Sequence, residues 1–347
     1  MRKVGFGIIG CGGISNYFHL PDLSKIKEAK IVALADAKPH RAQVTAKRFR
    51  AKSWYGDYRD LLAREDVEAI VVATPHPTHA QIAVDAIEAG KHVIIQKPMT
   101  TRVEDADRIV DAAKTHSDLK VMALPFVYFD TPAFDYARDL LSKGELGKVC
   151  MARSRVAHGG PEGYQADVSH MFKEEVDCWF FDPKRADGGV LFDLGVYSIS
   201  QLIYLLGEIK RVSAFAGTLD KPAEVEDNVA MILEMASGAL AVAETSWTQI
   251  AAMEGTSVYG TKGTLLLGFL NTQVMAYRQA DSSWTMPSLD KEKESEHTHR
   301  HFVKCMLEDS KPIGTVQEGR HVIGVLEAAY ESARTGKTTP VKRPLRT

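Results

Sequence analysis

The sequence predicts an α/β protein of two domains, in which a doubly wound parallel sheet precedes an α+β domain with an open, mostly antiparallel sheet. Its 347 residues exceed the roughly 250–300 at which a single core stops growing. Up to residue 124, short apolar runs alternate with helical patterns, which is typical of βαβ units. After Pro125, strand patterns follow one another without intervening helices. We therefore predict domains at residues 1–124 and 125–347.

Five strands are predicted in the first domain, and each is apolar along its length, as expected when helices cover both faces of a parallel sheet. These strands are Val4–Ile9, Ile31–Ala35, Ala69–Ala73, His92–Ile95 and Val121–Leu124. The segments between them carry apolar residues at three- and four-residue spacing, which predicts crossover helices. The helices are His40–Phe49, Thr78–Ala89 and Val103–Thr115.

The second domain combines a few helices with successive strands. Ser237-Gly238 is typical of a hairpin turn between two of the strands. The predicted strands are Val229–Met235, Leu240–Trp247, Leu265–Leu267 and Val274–Tyr277. The predicted helices are Ala133–Leu141 and Gly319–Thr335, and the polar run Asp290–Glu296 is predicted to be a solvated loop.

Composition and charge exclude several classes of partner. A net charge of −2 provides neither a basic stripe for nucleic acid nor a polybasic patch for a membrane surface, so the expected partner is a small molecule. The apolar run at the N-terminus is predicted to be a buried first strand, and no stretch is expected to reach the roughly 18 apolar residues that a membrane span needs. The four cysteines are widely spaced and form no C-x-x-C pair, which favours a reducing cytoplasm over a disulfide or zinc framework.

A glycine-rich turn follows the first predicted strand and leads into a helical segment. It reads Gly10-Cys11-Gly12-Gly13-Ile14-Ser15. Glycine at 10 permits a tight turn, and glycine at 12 lets the backbone approach a pyrophosphate at the positive end of the following helix. Ser15 is small enough for close helix–strand packing. The turn therefore predicts a Rossmann-type dinucleotide site that includes Gly10, Gly12, Gly13, Ile14 and Ser15.

An acidic residue ends the second predicted strand, about 20 residues beyond the glycine turn, as in dinucleotide-binding sequences. Asp36 can accept hydrogen bonds from an adenosine ribose and would repel a 2′-phosphate, which predicts NAD as the cofactor. Lys38 and Arg41 would offset that repulsion if they fold inward. NADP therefore remains possible.

Four stretches in this order and spacing resemble those of the glucose–fructose oxidoreductase/inositol dehydrogenase (Gfo/Idh/MocA) family over essentially the whole chain. They are the Gly10–Ser15 turn with Asp36, Thr74-Pro75-His76-Pro77-Thr78-His79, Ala89-Gly90-Lys91-His92-Val93-Ile94-Ile95-Gln96-Lys97-Pro98-Met99 and Gly188-Gly189-Val190-Leu191-Phe192-Asp193-Leu194-Gly195-Val196-Tyr197. The resemblance implies a Rossmann domain followed by an open-faced mixed-sheet domain. It also implies a homodimer or homotetramer assembled through the sheet face.

Lys97 lies just beyond the strand His92–Ile95, where ligands bind in open parallel sheets. The resemblance implies that this lysine contacts the reacting hydroxyl and that the Lys97-Pro98 bond is cis. Gln96 replaces the glutamate that is usual there, which removes a negative charge beside Lys97. We expect Lys97 to deprotonate more easily as a result, although the glutamine equally fits altered chemistry.

Asp193 and Tyr197 are four residues apart, and a helix that begins near Gly195 would place them close to one face of its start. The resemblance implies that Tyr197 carries a proton, as in the branches with an Asp-x-Gly-x-Tyr motif, and that Asp193 orients substrate hydroxyls. The phenol of tyrosine has an ordinary pKa of about 10. Tyr197 would therefore need a cation such as Lys97 to favour its phenolate.

The resemblance places other polar residues at the nucleotide end of the sheet. It implies cofactor contacts for Thr74, Pro75, His76, His79, Gln96 and Lys97. The stretches His158–Pro161 and Trp179–Asp182 fit a pocket wall and a core equally well. The alternating His297, His299 and His301 lack cysteine or acidic ligands at fitting spacing, so we predict no metal site.

The predicted reaction is a hydride transfer between a sugar or polyol hydroxyl and nicotinamide, with Lys97 or Tyr197 taking the hydroxyl proton. One alternative keeps NAD bound and reoxidises it within each cycle, as in relatives that resemble NAD-dependent glycosidases or glucose–fructose oxidoreductase. A second is a regulator that senses NAD or sugar without catalysis, although Lys97, Asp193 and Tyr197 are all retained.

Overall fold

The computed structural model describes residues 2–175, 177–250, 255–268, 274–289 and 298–342. The loop predicted at Asp290–Glu296 and the residue His297 lie outside these ranges. Two sheets organise the described chain, one on each side of residue 124.

The N-terminal sheet has six parallel strands in the order β3-β2-β1-β4-β5-β6, with helices on both faces. The strands are β1 (Val4–Ile9), β2 (Ala29–Ala35), β3 (Ser53–Tyr55), β4 (Ala69–Val72), β5 (His92–Ile95) and β6 (Val121–Ala123). The helices are α1 (Leu20–Leu23), α2 (Pro39–Phe49), α3 (Tyr58–Leu62), α4 (His79–Glu88) and α5 (Val103–Thr115). The strand order reverses between β1 and β4, and ligands bind at such a switch point.

The predicted Rossmann-type domain is confirmed, but one strand was missed. The strand β3 has only three residues and forms the edge of the sheet, and Trp54 at its centre is exposed. A short edge strand with an exposed centre has no apolar run by which it can be recognised. The five predicted strands agree with the observed ones to within two residues at either end.

The C-terminal sheet has nine strands in the order β14-β13-β12-β11-β7-β10-β9-β8-β15, and all neighbouring pairs are antiparallel except β7 with β10. The strands are β7 (Val149–Ala157), β8 (Ile209–Gly217), β9 (Asn228–Met235), β10 (Leu240–Ser246), β11 (Gly255–Gly260), β12 (Gly263–Gly268), β13 (Val274–Arg278), β14 (Ser283–Thr285) and β15 (Thr339–Pro340). The helices are α6 (Pro132–Ser142), α7 (Glu162–Phe172), α8 (Pro183–Ala186), α9 (Val196–Leu206), α10 (Thr298–Leu307) and α11 (Val316–Thr335). The predicted open, mostly antiparallel sheet is confirmed.

Helices cover one face of this sheet and leave the other exposed. The helices α9 and α11 pack against β7, β8 and β10. Along β9, Val229, Met231 and Leu233 are buried, whereas Ile232 between them is 59% exposed. Phe215 on the adjacent strand β8 is 83% exposed. The open face therefore carries large apolar side chains.

The segment Pro183–Leu206 is long and apolar enough to cross a membrane by length and composition alone. However, 78% of its apolar stretch is buried inside the protein. Packing in the core therefore accounts for its composition.

The helix α10 contains two of the three alternating histidines. His299 lies between His19 and Asp22, with Nε2 2.8 Å from Nδ1 of His19 and Nδ1 2.6 Å from an Asp22 carboxylate oxygen. His301 instead accepts a hydrogen bond from the Ile313 backbone at 2.9 Å. Residues two apart on a helix face different directions, so these two rings do not converge.

Candidate functional site

The glycine turn after β1 has the backbone that a dinucleotide requires. Gly10 has a φ of +95°, and a Cβ at this position would clash with the Ala73 carbonyl oxygen. A Cβ added at Gly12 would meet no protein atom within 4 Å, so a ligand can approach the backbone there. The buried Ser15 hydroxyl donates to the Gly10 carbonyl at 2.5 Å and closes the turn from behind.

The carboxylate of Asp36 is held in place at the carboxyl end of β2. It accepts hydrogen bonds from the backbone N–H of Cys11 at 2.7 Å and of Lys38 at 2.8 Å, one at each oxygen. Each oxygen keeps a lone pair for a ribose hydroxyl. Asp36, Gly10 and Gly12 line one cavity of about 1180 Å³. These features fit NAD.

The segment after β4 forms another wall of this cavity. Thr74, Pro75 and His76 line it, together with Gln96 and Lys97. His79 is fully buried behind them, with its ring nitrogens 2.8 Å from the Pro98 carbonyl oxygen and 2.7 Å from that of Thr74. Ser15 and His79 therefore support the cavity wall, whereas the other predicted cofactor-site residues line the cavity.

Lys97 and Asp193 form an ion pair within the same cavity. The ammonium donates to the Asp193 carboxylate and to the Asp193 backbone carbonyl, each at 2.6 Å, and the two side chains are only 13% and 10% exposed. Trp247 donates its indole N–H to the second carboxylate oxygen at 3.0 Å. Burial would raise the pKa of Asp193, but Lys97, His158 and Trp247 hold it below its usual value. Asp193 is therefore ionised at neutral pH.

The turn that carries Asp193 is shaped by a second carboxylate, which is partly buried. Glu226 accepts backbone hydrogen bonds from Gly189 and Leu191 and a hydroxyl hydrogen bond from Tyr330 at 2.8 Å. A Cβ at Gly189 would clash with the Glu226 carbonyl oxygen, so this position requires glycine. Asp193 lies in a π-helical turn, Leu191–Gly195, that runs directly into α9, so helical backbone begins before the predicted start near Gly195. Asp193 and Tyr197 line the same cavity.

Tyr197 lies beside the ion pair with its ring against Lys97. The Lys97 ammonium is 5.0 Å from the centroid of the Tyr197 ring. The Tyr128 ring stacks on the Tyr197 ring, with 6.3 Å between the two centroids. Burial, and then the negative charge of Asp193, raise the pKa of Tyr197 above its usual value. The phenol of Tyr197 is therefore neutral at neutral pH, and the adjacent Lys97 does not lower its pKa below the usual value.

The glycine turn, Asp36 and the lysine–aspartate pair line one cavity, and comparisons with known proteins identify the family. Residues 4–123 match the model of an oxidoreductase family with an NAD-binding Rossmann fold, and residues 134–266 match the GFO/IDH/MocA C-terminal domain. The chain belongs to the GFO/IDH/MocA oxidoreductase family.

Several relatives within the GFO/IDH/MocA family have named activities. The chain is 24% identical to scyllo-inositol 2-dehydrogenase (NAD(+)) of Bacillus subtilis, with 96% of this chain and 95% of the relative covered. It is 26% identical to levoglucosan dehydrogenase of Pseudarthrobacter phenanthrenivorans over 68% of this chain and 64% of the relative. The solved structure of a levoglucosan dehydrogenase with NADH matches with a TM-score of 0.84 at 21% identity, covering 99% of this chain and all of that one, which shows the shared fold.

Gln96 stands where the GFO/IDH/MocA resemblance implies glutamate. The side-chain amide oxygen of Gln96, Oε1, accepts a hydrogen bond from the Lys97 backbone N–H at 2.7 Å. The Gln96 side chain is also hydrogen-bonded to the Tyr128 hydroxyl. The amide therefore fixes the backbone at Lys97, and Asp193 supplies the carboxylate beside the ammonium.

Another wall of the cavity comes from the C-terminal half. His158, Gly160, Pro161, Trp179 and Phe180 line it, whereas Phe181 packs against the buried Trp247, so these two stretches contribute to both pocket wall and core. Trp179 and Phe180 stack with centroids 4.0 Å apart, and His76 packs on Trp179 at 4.9 Å. A sugar ring can pack its C–H face on such aromatic surfaces while its hydroxyls bind polar groups.

Sequence reasoning missed three residues that shape the site. Trp247 ends a predicted strand but has no motif of its own, and Glu226 precedes a strand like many solvated acids. Tyr164 of α7 lies against the glycine turn, with its hydroxyl hydrogen-bonded to the Ile14 backbone. A Cβ on Gly13 would meet the Tyr164 ring at 2.5 Å. The contact explains why a side chain is excluded at position 13, but only the structure reveals it.

Proposed function

We propose that this chain is an NAD-dependent dehydrogenase that oxidises a hydroxyl of a sugar or polyol. The observation that carries the proposal is the Lys97–Asp193 pair, which lies in one cavity with the Gly10 turn and Asp36. The aromatic wall and the polar groups of His158 and Asp193 suit a ring that carries several hydroxyls. The names of relatives that act on inositol and levoglucosan support the same substrate class.

In this proposal Lys97 exchanges the proton and Asp193 holds the lysine in position. NAD, when bound, supplies the hydride acceptor. Lys97 in its amine form accepts the hydroxyl proton, and Asp193 stabilises the ammonium that forms. The reverse reaction returns this proton to the carbonyl oxygen. Two ammonium hydrogens are donated to Asp193, which leaves one for the reacting oxygen.

A screen of free sugars, polyols and glycosides tests the function. We expect NADH absorbance to rise with at least one sugar or polyol, and product analysis to show the matching carbonyl compound. Product without net NADH would support the redox-neutral cycle instead. Binding of NAD and a sugar without any turnover would contradict an enzyme and support a regulator.

Tyr197 shares the proton handling as a neutral hydrogen-bond donor to the reacting oxygen. We expect Tyr197→Phe to lower kcat/KM by roughly 10- to 100-fold, at or below the lower end of the range for a positioned acid–base group, because only a hydrogen bond is lost. Because the pKa of Tyr197 is raised, the variant should keep the wild-type pH profile through the neutral range. Loss of an alkaline limb from that profile would instead identify Tyr197 as the base.

We also propose that the enzyme is a homo-oligomer assembled through the open sheet face and acts in the cytoplasm. Exposed Phe215 and Ile232 give that face an apolar surface. Analytical ultracentrifugation should find a dimer or tetramer, and Ile232→Glu should dissociate it without loss of fold. A wild-type monomer would contradict the proposal.

The state of the cysteines supports the cytoplasmic location. The cysteines Cys11, Cys150, Cys178 and Cys305 are all free thiols, in keeping with a reducing compartment.

A further inference from the structure

We propose that Glu174 sets the preference for NAD over NADP by holding two cations away from the 2′-position of the adenosine ribose. The proposal rests on the proposed use of NAD and names a selectivity residue outside the Rossmann domain. Glu174 follows α7, in the C-terminal half, and reaches across to α2 of the nucleotide domain.

The evidence is an ion-pair cluster beside the ribose site. Arg41 and Lys38 line the cavity with Asp36. Glu174 binds Arg41 through Nε at 2.5 Å and through a terminal guanidinium nitrogen. Its second oxygen is 3.5 Å from Lys38 Nζ and 3.8 Å from His40 Nε2. One carboxylate therefore engages every basic side chain from residue 38 to residue 41.

Burial and packing restrict the Arg41 side chain. The side chains of Arg41 and Glu174 are 14% and 18% exposed, and the guanidinium packs over the Phe172 ring, 5.3 Å from its centroid. Burial would raise the pKa of Glu174, but Arg41 and Lys38 hold it below its usual value. The carboxylate is therefore charged when the cofactor binds.

This arrangement disfavours a phosphorylated ribose in two ways. A 2′-phosphate is bound in related folds by an arginine close to the ribose, and Arg41 lines the cavity together with Asp36. It is already committed to Glu174 by a charge-assisted, two-point interaction. Asp36 and Glu174 together would also repel the phosphate, whereas neither obstructs a ribose hydroxyl. Asp36 therefore favours NAD by direct contact, and Glu174 does so by neutralising the cations that would compensate.

Titration calorimetry with ADP-ribose and 2′-phospho-ADP-ribose tests the proposal without requiring turnover. Glu174→Gln keeps the shape of the side chain and removes its charge. We expect it to tighten binding of the 2′-phosphorylated ligand by about tenfold, the effect of one additional charge-assisted hydrogen bond, and to change ADP-ribose binding by less than about twofold. Glu174→Asp should retain the wild-type ratio because the charge is kept.

Two further variants separate selectivity from packing. Adding Arg41→Ala to Glu174→Gln should abolish the tighter binding, because the freed guanidinium is its source. Glu162→Gln, at the start of α7 and paired with Lys221, is a matched control that should leave both affinities unchanged. An equal change for both ligands in Glu174→Gln, or none, would overturn the proposal. Failure of wild type to bind either ligand would instead overturn the cofactor assignment.

Discussion

Replacing Lys97 with alanine should lower the rate of hydride transfer at least about 100-fold, the scale of a positioned acid–base group. Lys97 combines an exchangeable proton with a fixed position, because Asp193 holds its ammonium through two contacts of 2.6 Å. The glycine turn and Asp36 remain intact in the variant. NAD affinity should therefore change by no more than a few-fold.

Single-turnover measurements with NAD saturating distinguish lost chemistry from lost cofactor. Lys97→Arg is the matched variant, because a guanidinium keeps the positive charge but does not release its proton near neutral pH. We expect it to be nearly as impaired as Lys97→Ala. Substantial activity in Lys97→Arg would mean that position 97 acts through charge alone, and the proton would then have to leave by another route.

Much of the Rossmann domain was predictable because the information is local. The strands β1 and β5 were placed at their exact bounds, since Val4–Ile9 and His92–Ile95 are solid apolar runs between polar segments. The strand β7 was not predicted. Its inward-facing residues include the small Ala152 and Ser154, and its open face carries Arg153, so the alternation shows no clear apolar side.

The residues of the site also fall into two groups, those that the sequence predicts and those that only the structure reveals. Gly10, Asp36 and Lys97 lie in short motifs at strand ends, so their positions follow from the order of strands in a parallel sheet. The partners that set their chemistry come from distant segments. Trp247 reaches Asp193 across 54 positions of sequence, and Glu174 reaches Arg41 across 133. No local pattern encodes such contacts, because they depend on how segments distant in sequence pack together in the folded chain.

The effect of a distant charge is clearest in the two expectations about proton transfer. The sequence indicated that Lys97 lacks the negative charge of a glutamate at position 96. The fold nevertheless places the Asp193 carboxylate against the Lys97 ammonium. The same carboxylate contributes to raising the pKa of Tyr197. One buried acid therefore positions the lysine and adds to the effect of burial, which is the main reason that the pKa of the tyrosine is raised.

Asp193→Asn should lower the free energy of unfolding by about 3 kcal/mol, near the lower end for a broken buried ion pair because the cavity admits water. The variant leaves the Lys97 ammonium beside a neutral amide in a largely buried position. It should also slow hydride transfer by roughly 10- to 100-fold, because Lys97 loses the partner that orients it. Urea unfolding and single-turnover rates measure the two effects.

The pH dependence and a double variant test the cause of this destabilisation. The pKa of Asp193 is held below its usual 3.8, so the carboxylate contributes stability above that range and loses it only as the pH falls through the lowered value. The stability difference between wild type and Asp193→Asn should therefore be constant from about pH 5 to 8. Adding Lys97→Met to Asp193→Asn should restore much of the lost stability, because the unpaired ammonium is removed. If the double variant is as unstable as the sum of the two single variants, the ion pair is not the source of the loss, and the hydrogen bond from Trp247 to Asp193 becomes the stabilising contact to test.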